Sequence, residues 1–459
     1  MLYRAFRLLA GIVLRLFFRR IDVEGQRDLP AGPILIVSNH ANALVDPLLP
    51  LIVLRRRITL TMKNVLGKNP LLATIAWCVG AIQFHRPQDL AKGAKPRQNI
   101  ESMKRCREIL AAGGAVCIFP EGISHSDLKM RPFQSGAAKI ALDYVRKDGN
   151  PGKLKILPVG ILYTHKDRFR SDVWLRFGHA FDVEQWMAQQ PMVNAEVLTE
   201  YMRQQIEALT VAYENRREML IVNWANDIVA TEAKAPTMLR PDAPSPADSF
   251  NRIARLQAGY RQLRAEHGPE IESLTIQVRS YRRELARLGI DPAEVYLSRN
   301  PLHAGFFLIR ELELIVIGFP LALFGTINHL LPYLIVRRIA RRMSVDKDHW
   351  ATNVIYPSFV IFPGFYLVQL AAAWLALPVS WAAVYSVALP YTGYYAILYH
   401  GRAAGAWRRA STFVYFLLHP ALQTRLADQG REIFAAVQQL ARHLDPAPAV
   451  ALTGMERSP

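Results

Sequence analysis

Cysteine is scarce in this chain. Three residues in 459 are Cys78, Cys106 and Cys117, each in an apolar setting. An odd, unpatterned set excludes a disulfide framework and a zinc site, and a reducing compartment fits best. Acids are also short: 38 Asp and Glu stand against 56 Lys and Arg, for a net charge of +18 and a pI near 9.9. That surplus suits anionic partners such as phospholipid headgroups or phosphate-bearing substrates. Nucleic acid is not expected among them, because the sequence has no zinc-finger spacing, no RNP-type motif and no Lys/Arg-rich tail. The first twenty residues contain no acid and no small-residue cleavage site, and their longest uncharged run is only Leu8–Leu14, which argues against a secretory leader.

What those twenty residues do contain is amphipathic. At 100° per residue, Arg4, Arg7, Gly11 and Arg15 share one arc, and Leu, Phe, Ile and Val fill most of the rest. The expectation is a helix over 1–20 lying in a membrane interface, apolar side down and Arg heads toward lipid phosphates. The competing reading is a terminal helix packed on the core.

Residues 21–185 alternate short apolar runs with helical patterns. Strands are expected at Ile34–Val37, Ile58–Met62, Ala81–Phe84, Ala115–Phe119, Ile156–Leu162 and Val173–Phe177. This alternation predicts an α/β fold, a mostly parallel sheet flanked by helices, with sites beyond the strand C-termini. Residues 186–300 read as helical, interrupted by a Pro-rich linker at 235–249.

Charge is absent from Leu314–Val336 and from Ala351–His400. A membrane span needs about 20 apolar residues. A membrane region is therefore expected over 301–420, with transmembrane helices at 353–376 and 380–399 forming a hairpin that turns near Pro378. Its flanks, the RRIARR run at 337–342 and Arg402, Arg408 and Arg409, place both ends and the α/β domain on the cytoplasmic side. A single crossing by 314–336 would conflict with that. Pro320, Gly325, Asn328 and Pro332 interrupt the segment, so it is expected to bend and re-enter the same face. Residues 421–459 read as a last helix and tail.

The chemistry sits at the strand ends. ILIVSNHANALVDPLL at 34–49 puts His40 and Asp46 just past a buried strand. A neutral imidazole removes a proton from a hydroxyl, and a carboxylate on its other nitrogen fixes the tautomer. Residues six apart on a regular helix point about 120° from one another, so the pair needs an irregular turn. The bland alternative is that Asn39 and Asp46 are turn formers and caps. FPEGISHS at 119–126 ends another strand, with Glu121 projecting from a turn at Gly122 and backbone N–H groups up to Ser124 available as an anion nest. Gly136 then opens a helix whose N-terminus attracts anions. Arg86 ends a third strand as a phosphate ligand. Pro158 interrupts an apolar strand, which points to a sheet edge or a bulge beside a cavity.

In this order the motifs resemble the glycerophosphate acyltransferase superfamily over roughly residues 20–185. HANALVDP and FPEGISHS are most similar to its fungal-type glycerol-3-phosphate/dihydroxyacetone-phosphate acyltransferase branch, which also carries C-terminal membrane segments. The resemblance implies His40 as general base, Asp46 as its partner, Arg86 on acceptor phosphate, Glu121, Gly122 and Ser124 at the acceptor, and Pro158 shaping the acyl-donor side. It departs in its His-x5-Asp spacing, where His-x4-Asp is usual, and in Ile123 and Gln134. The implied reaction moves an acyl chain from acyl-CoA, or from acyl carrier protein, to a glycerol-phosphate-type hydroxyl without metal or other cofactor. Glycerol 3-phosphate, dihydroxyacetone phosphate and 1-acylglycerol 3-phosphate all remain as acceptors. Two other readings stand beside it: a non-catalytic lipid-binding protein on the same fold, and a His/Asp metal hydrolase, for which His85 and His125 are only scattered ligands.

Overall fold

The computed structural model describes residues 2–25, 31–63, 70–85, 96–125, 127–232, 245–343 and 350–442. The chain divides into two compact units. One comprises Met1–Ala212 with Pro332–Val368, the other Tyr213–Leu331 with Gln369–Pro459.

The first unit begins with α1 (Leu2–Phe17), β1 (Arg20–Glu24), β2 (Ile34–Ser38), α2 (Val45–Val53) and β3 (Thr59–Lys63). It continues through α3 (Pro70–Val79), β4 (Ile82–Phe84), α4 (Pro96–Ala111), β5 (Ala115–Ile118) and α5 (Gly136–Lys147). It ends with β6 (Lys155–Tyr163), β7 (Asp172–Phe177), β8 (Phe181–Asp182), α6 (Val183–Ala188) and α7 (Ala195–Glu207). The strands form one sheet in the order β1-β7-β6-β2-β5-β3-β4, with β8 on β6. Among the described residues only β6 with β7 and β6 with β8 pair antiparallel. The mostly parallel α/β sheet expected from the sequence is therefore present.

Every residue of β2 is buried, and its side chains alternate between two cores. Ile34 and Ile36 face a core shared with α1 and α2, while Leu35 and Val37 face one shared with α5 and α7. Strands buried on both faces read as continuous apolar runs, which is why ILIVS shows no polar alternation.

Two expectations for this unit need correction. β6 is an interior strand, flanked by β2 and β7, not an edge. Pro158 is tolerated because its carbonyl accepts from the Gly178 N–H at 2.9 Å, so its missing N–H would have pointed the same way. That is the gap where β6 changes partner from β8, at Lys155 and Ile156, to β7, from Val159 on. The ladder to β2 loses nothing. Helix α1 packs into the core through Ala10, Leu14 and Phe17, yet Leu2, Leu8, Leu9, Ile12 and Leu16 stay exposed. Arg7 reaches the Ile52 carbonyl at 3.2 Å, at the end of α2, so it does not point away toward lipid.

The remaining helices are α8 (Arg216–Glu232), α9 (Pro246–Glu266), α10 (Gly268–Leu288), α11 (Pro301–Met343), α12 (Trp350–Ala376), α13 (Val379–Leu418) and α14 (Pro420–Ala441). The start of α12 belongs to the first unit, where Ala351 and Ile355 join the core of α1 and α2. In the second unit α8, α10, α13 and α14 share a core around Ile228, Tyr281, Phe416 and Leu426. Of the linker expected at 235–249, residues 235–244 lie outside the described ones. Ser245 accepts from the Asp248 N–H and caps α9, so the last part is helix.

The helix is not interrupted within 314–336: α11 runs as one 43-residue helix through Pro320 and Pro332. Proline at 332 deprives the Asn328 carbonyl of its helical donor. Gln369 Nε2 supplies a replacement at 2.9 Å. Among the described residues two helices are long and apolar enough to cross a membrane, Ile309–Met343 with mean hydropathy 1.9 and Trp350–Ala376 with 1.8. The 380–399 segment is helical within α13 but is not one of the two. Tyr385, Tyr391, Tyr394, Tyr395 and Tyr399 dilute its hydropathy.

Candidate active site

Strand β2 is followed by α2 on one face of the sheet, and its neighbour β5 by α5 on the other. Adjacent parallel strands whose connections leave to opposite faces open a crevice at their C-terminal ends. His40 stands past the end of β2 and Glu121 past the end of β5, on the two sides of that crevice.

His40 Nδ1 lies 2.9 Å from Asp46 Oδ2, although six residues separate them. The chain bends through 41–44 before α2 begins at Val45, and the Asp46 N–H donates to the Asn42 carbonyl at 3.1 Å. Asp46 therefore sits in the first turn of α2 and faces back to the imidazole. Its side chain is fully buried, while that of His40 is 13% exposed. Asp46 Oδ2 also accepts the Asn42 N–H at 2.6 Å, and Oδ1 accepts the Tyr163 hydroxyl. With the Asn42 N–H and the Tyr163 hydroxyl donating to it, the Asp46 carboxylate faces His40 Nδ1 as an acceptor, which puts the ring proton on Nδ1 and leaves the Nε2 lone pair free. Burial first, and then Asp46, push the Tyr163 hydroxyl well above its ordinary pKa, so it remains a donor. Phe119 lies against the imidazole, ring centroids 4.6 Å apart.

Asn39 is neither a simple turn former nor a cap. Its side chain donates to the Ile161 carbonyl at 3.0 Å and accepts the Ile161 N–H at 2.8 Å. It thus extends the β2–β6 ladder by one side chain and fixes where His40 departs.

Glu121 is placed differently from the expectation of an acceptor-binding acid. Its side chain is only 1% exposed. Oε1 accepts the His40 N–H at 2.6 Å, and Oε2 accepts the Arg131 N–H at 2.9 Å and contacts His125 Nε2. The Asp127 N–H donates to His125 Nδ1 at 3.2 Å, which puts the His125 proton on Nε2, toward Glu121. The His125 N–H in turn reaches the His40 carbonyl at 3.3 Å. Glu121 therefore bolts the two motif loops together. Gly122 has φ +72°, a left-handed turn that favours glycine. Ser124 is partly exposed in the same loop. Lys166 bridges the loops from a third side, its ammonium on the Ala41 carbonyl at 3.3 Å and the His125 carbonyl at 2.9 Å.

Pro158 is not part of this constellation. Strand alternation puts it on the α5/α7 face with Ile156, away from α2, and its ring packs beside Gly178 and Leu209. Arg86 lies outside the described residues. The backbone just before it is pinned, with the His85 N–H donating to Asn99 Oδ1 at 2.8 Å and the His85 carbonyl accepting from Asn99 Nδ2 at 2.8 Å. Burial pushes the Cys106 and Cys117 thiols up to about 12, so neither is a ready nucleophile.

Residues that sequence reasoning missed complete the site. Tyr163 ends β6, the parallel neighbour of β2, and Lys166 follows it. Thr352, at the start of α12, accepts the Leu44 N–H at 3.1 Å and donates to Asn42 Oδ1 at 3.4 Å. An apolar helix thus begins beside the dyad.

A family model described as Acyltransferase matches residues 20–162. Residues 20–162 are thus similar to an acyltransferase domain. The acyltransferase domain so defined contains the dyad, the FPEG loop and most of β6. The chain is 23% identical over 373 residues to an uncharacterized acyltransferase of Schizosaccharomyces pombe, covering 62% of this chain and 54% of that one. It is 25% identical over 250 residues to glycerol-3-phosphate O-acyltransferase 1 of Saccharomyces cerevisiae, covering 52% and 31%. It is 29% identical over 151 residues to a chloroplastic 1-acyl-sn-glycerol-3-phosphate acyltransferase of Brassica napus, covering 32% and 39%. The matches thus span between about a third and a half of these relatives' own lengths.

Proposed function

We propose that the chain is a membrane-bound O-acyltransferase that moves an acyl group from acyl-CoA to the hydroxyl of glycerol 3-phosphate or dihydroxyacetone phosphate. The observation that carries this reading is the His40–Asp46 contact at 2.9 Å, at the mouth of the β2/β5 crevice. His40 Nε2 takes the acceptor proton as its oxygen attacks the thioester carbonyl. The tetrahedral adduct collapses, the carbon–sulfur bond breaks, and the imidazolium returns the proton to the departing thiolate. Asp46 keeps the imidazole in the required tautomer and stabilises its charged form.

The lipid setting supports the same reading. The exposed stripe of α1 and the apolar length of α12 fit a bilayer, and α12 starts next to the dyad, where an acyl chain needs an apolar route. The acyltransferase domain then faces the cytoplasm, following the Arg-rich flanks of the apolar segments. A second acceptor, 1-acylglycerol 3-phosphate, is favoured by the name of the Brassica napus relative.

Purified full-length protein with labelled acyl-CoA, given glycerol 3-phosphate, dihydroxyacetone phosphate and 1-acylglycerol 3-phosphate side by side, tests both readings. The acceptor with the highest kcat/KM names the activity. His40→Ala should lower kcat by about a hundred- to ten-thousand-fold, the usual weight of a general base. Full turnover in that variant would end the proposal.

A further inference from the structure

The apolar helices of the second unit end at a cleft built from charge. α11 carries Arg310 and Glu311 just before its uncharged run, and α13 carries Arg402, Arg408 and Arg409 just after the run that ends at His400. These five residues line a cleft of about 480 Å³. The Tyr399 hydroxyl donates to the Ile315 carbonyl at 3.0 Å, which ties the two helices at this level.

Four guanidiniums meet one lining carboxylate. Glu311, its side chain 5% exposed, accepts Arg402 Nε at 3.0 Å and Arg402 Nη2 at 3.1 Å, with Arg310 Nη2 at 3.5 Å. Arg408 Nε donates to Glu294 at 2.6 Å, and Glu294 also accepts the Thr412 hydroxyl at 3.1 Å. The acids are thereby engaged, but each guanidinium carries five N–H groups. Arg310 Nε is buried with no hydrogen-bond partner. A concave surplus of N–H donors in fixed forks matches a phosphate oxyanion.

The surroundings identify which phosphate. Phe306, Ile309, Leu312 and Trp407 stand 61%, 69%, 55% and 78% exposed beside the cleft residues in sequence. Exposed Trp and Arg where charge-free helices end are the pattern of a membrane interface. The cleft is also far larger than a bare phosphate ion needs. The geometry points to a headgroup site for an anionic phospholipid, its phosphate held by the arginine forks of α11 and α13 and its acyl chains on the exposed apolar faces nearby. The inference rests on the membrane reading of these helices, but not on the chemistry at His40, so either can fail without the other.

The test titrates the full-length detergent-purified chain with dihexanoyl phosphatidylglycerol, which is neither acceptor nor product of the proposed reaction. The wild type should bind it about tenfold more tightly than dihexanoyl phosphatidylcholine, and Arg310→Gln should remove about that preference. Arg408→Lys, which keeps the charge but loses the fork, should weaken binding about threefold and serves should Arg310→Gln not fold. Glycerol 3-phosphate should not displace the lipid, and His40→Ala should bind it as the wild type does. Equal affinity for the two lipids, unchanged binding in both arginine variants, or displacement by glycerol 3-phosphate would overturn the site, the last by assigning it to a free phosphate.

Discussion

Tyr163 makes a test of the dyad that leaves the imidazole untouched. Its hydroxyl meets Asp46 Oδ1, in a fully buried setting. Removing it with Tyr163→Phe leaves a buried carboxylate oxygen without its donor, a loss of about 1.5–3 kcal/mol for a bond to a charged group. If the dyad works as proposed, kcat should fall about ten- to a hundredfold with little change in acceptor KM, since the phenol holds the partner of the base and not the substrate. Glu121 allows the opposite test. With the backbone N–H groups of His40 and Arg131 and the ring of His125 already on its oxygens, Glu121→Gln should lower thermal stability together with kcat. A rise in acceptor KM at unchanged stability would instead restore the acceptor-binding role that the motif implies. His40, Asp46 and Glu121 were legible because each motif lies within a few residues of a strand end. Tyr163, Lys166 and Thr352 were not, because their partners lie far off along the chain, from 41 residues for Lys166 with His125 to 308 for Thr352 with Leu44, and only the fold brings them together.

At the scale of elements, the fully buried strands read most plainly, while β1 and the two-residue β8 were not foreseen. ILIVS, AVCI and KILPVGILY are continuous apolar runs, the signature of strands covered on both faces. β1, RIDVE, carries three charges in five residues and is part-exposed throughout, so nothing in its sequence distinguishes it from a loop. It is secured by its partner strand and by one acid. Asp172, at the head of β7, takes Arg19 Nε at 2.9 Å and Arg20 Nη2 at 3.1 Å. Burial works against its charge, but the hydrogen bonds from Arg19 and Arg20 outweigh it and hold the carboxyl below the usual Asp range. A lowered folded pKa means the stabilisation is fully present above the unfolded value of about 3.9 and is lost as pH falls through the folded one. Because Arg19 is partly exposed, screening limits the effect to about 1–2 kcal/mol. Asp172→Asn should therefore unfold earlier than the wild type at pH 7, with the difference narrowing below about pH 4 in thermal scans. A constant gap across that range would remove the ion pair from the account.

The whole molecule poses the question of which helices cross the bilayer. Between the acyltransferase domain and residue 300 the sequence has no uncharged run long enough to do so. Beyond α11, Ala351 and Ile355 pack into the domain's own core, and Thr352 bonds to the turn between His40 and Asp46. α11 itself is one continuous helix through its charge-free run. Its mean hydropathy of 1.9 makes it a candidate to cross, and the Tyr399 hydroxyl on the Ile315 carbonyl sets it beside α13. α12 has 27 residues, about 40 Å at 1.5 Å per residue, and exceeds the hydrocarbon thickness of about 30 Å. It can cross, and Trp374 Nε1, which donates to Ser386 Oγ at 3.2 Å, marks α13 as its return leg. Reporter fusions at residues 345 and 419 should then be read on the same side as the N-terminal domain, and one at residue 377 on the other. The same side for 345 and 377 would mean that α12 does not cross.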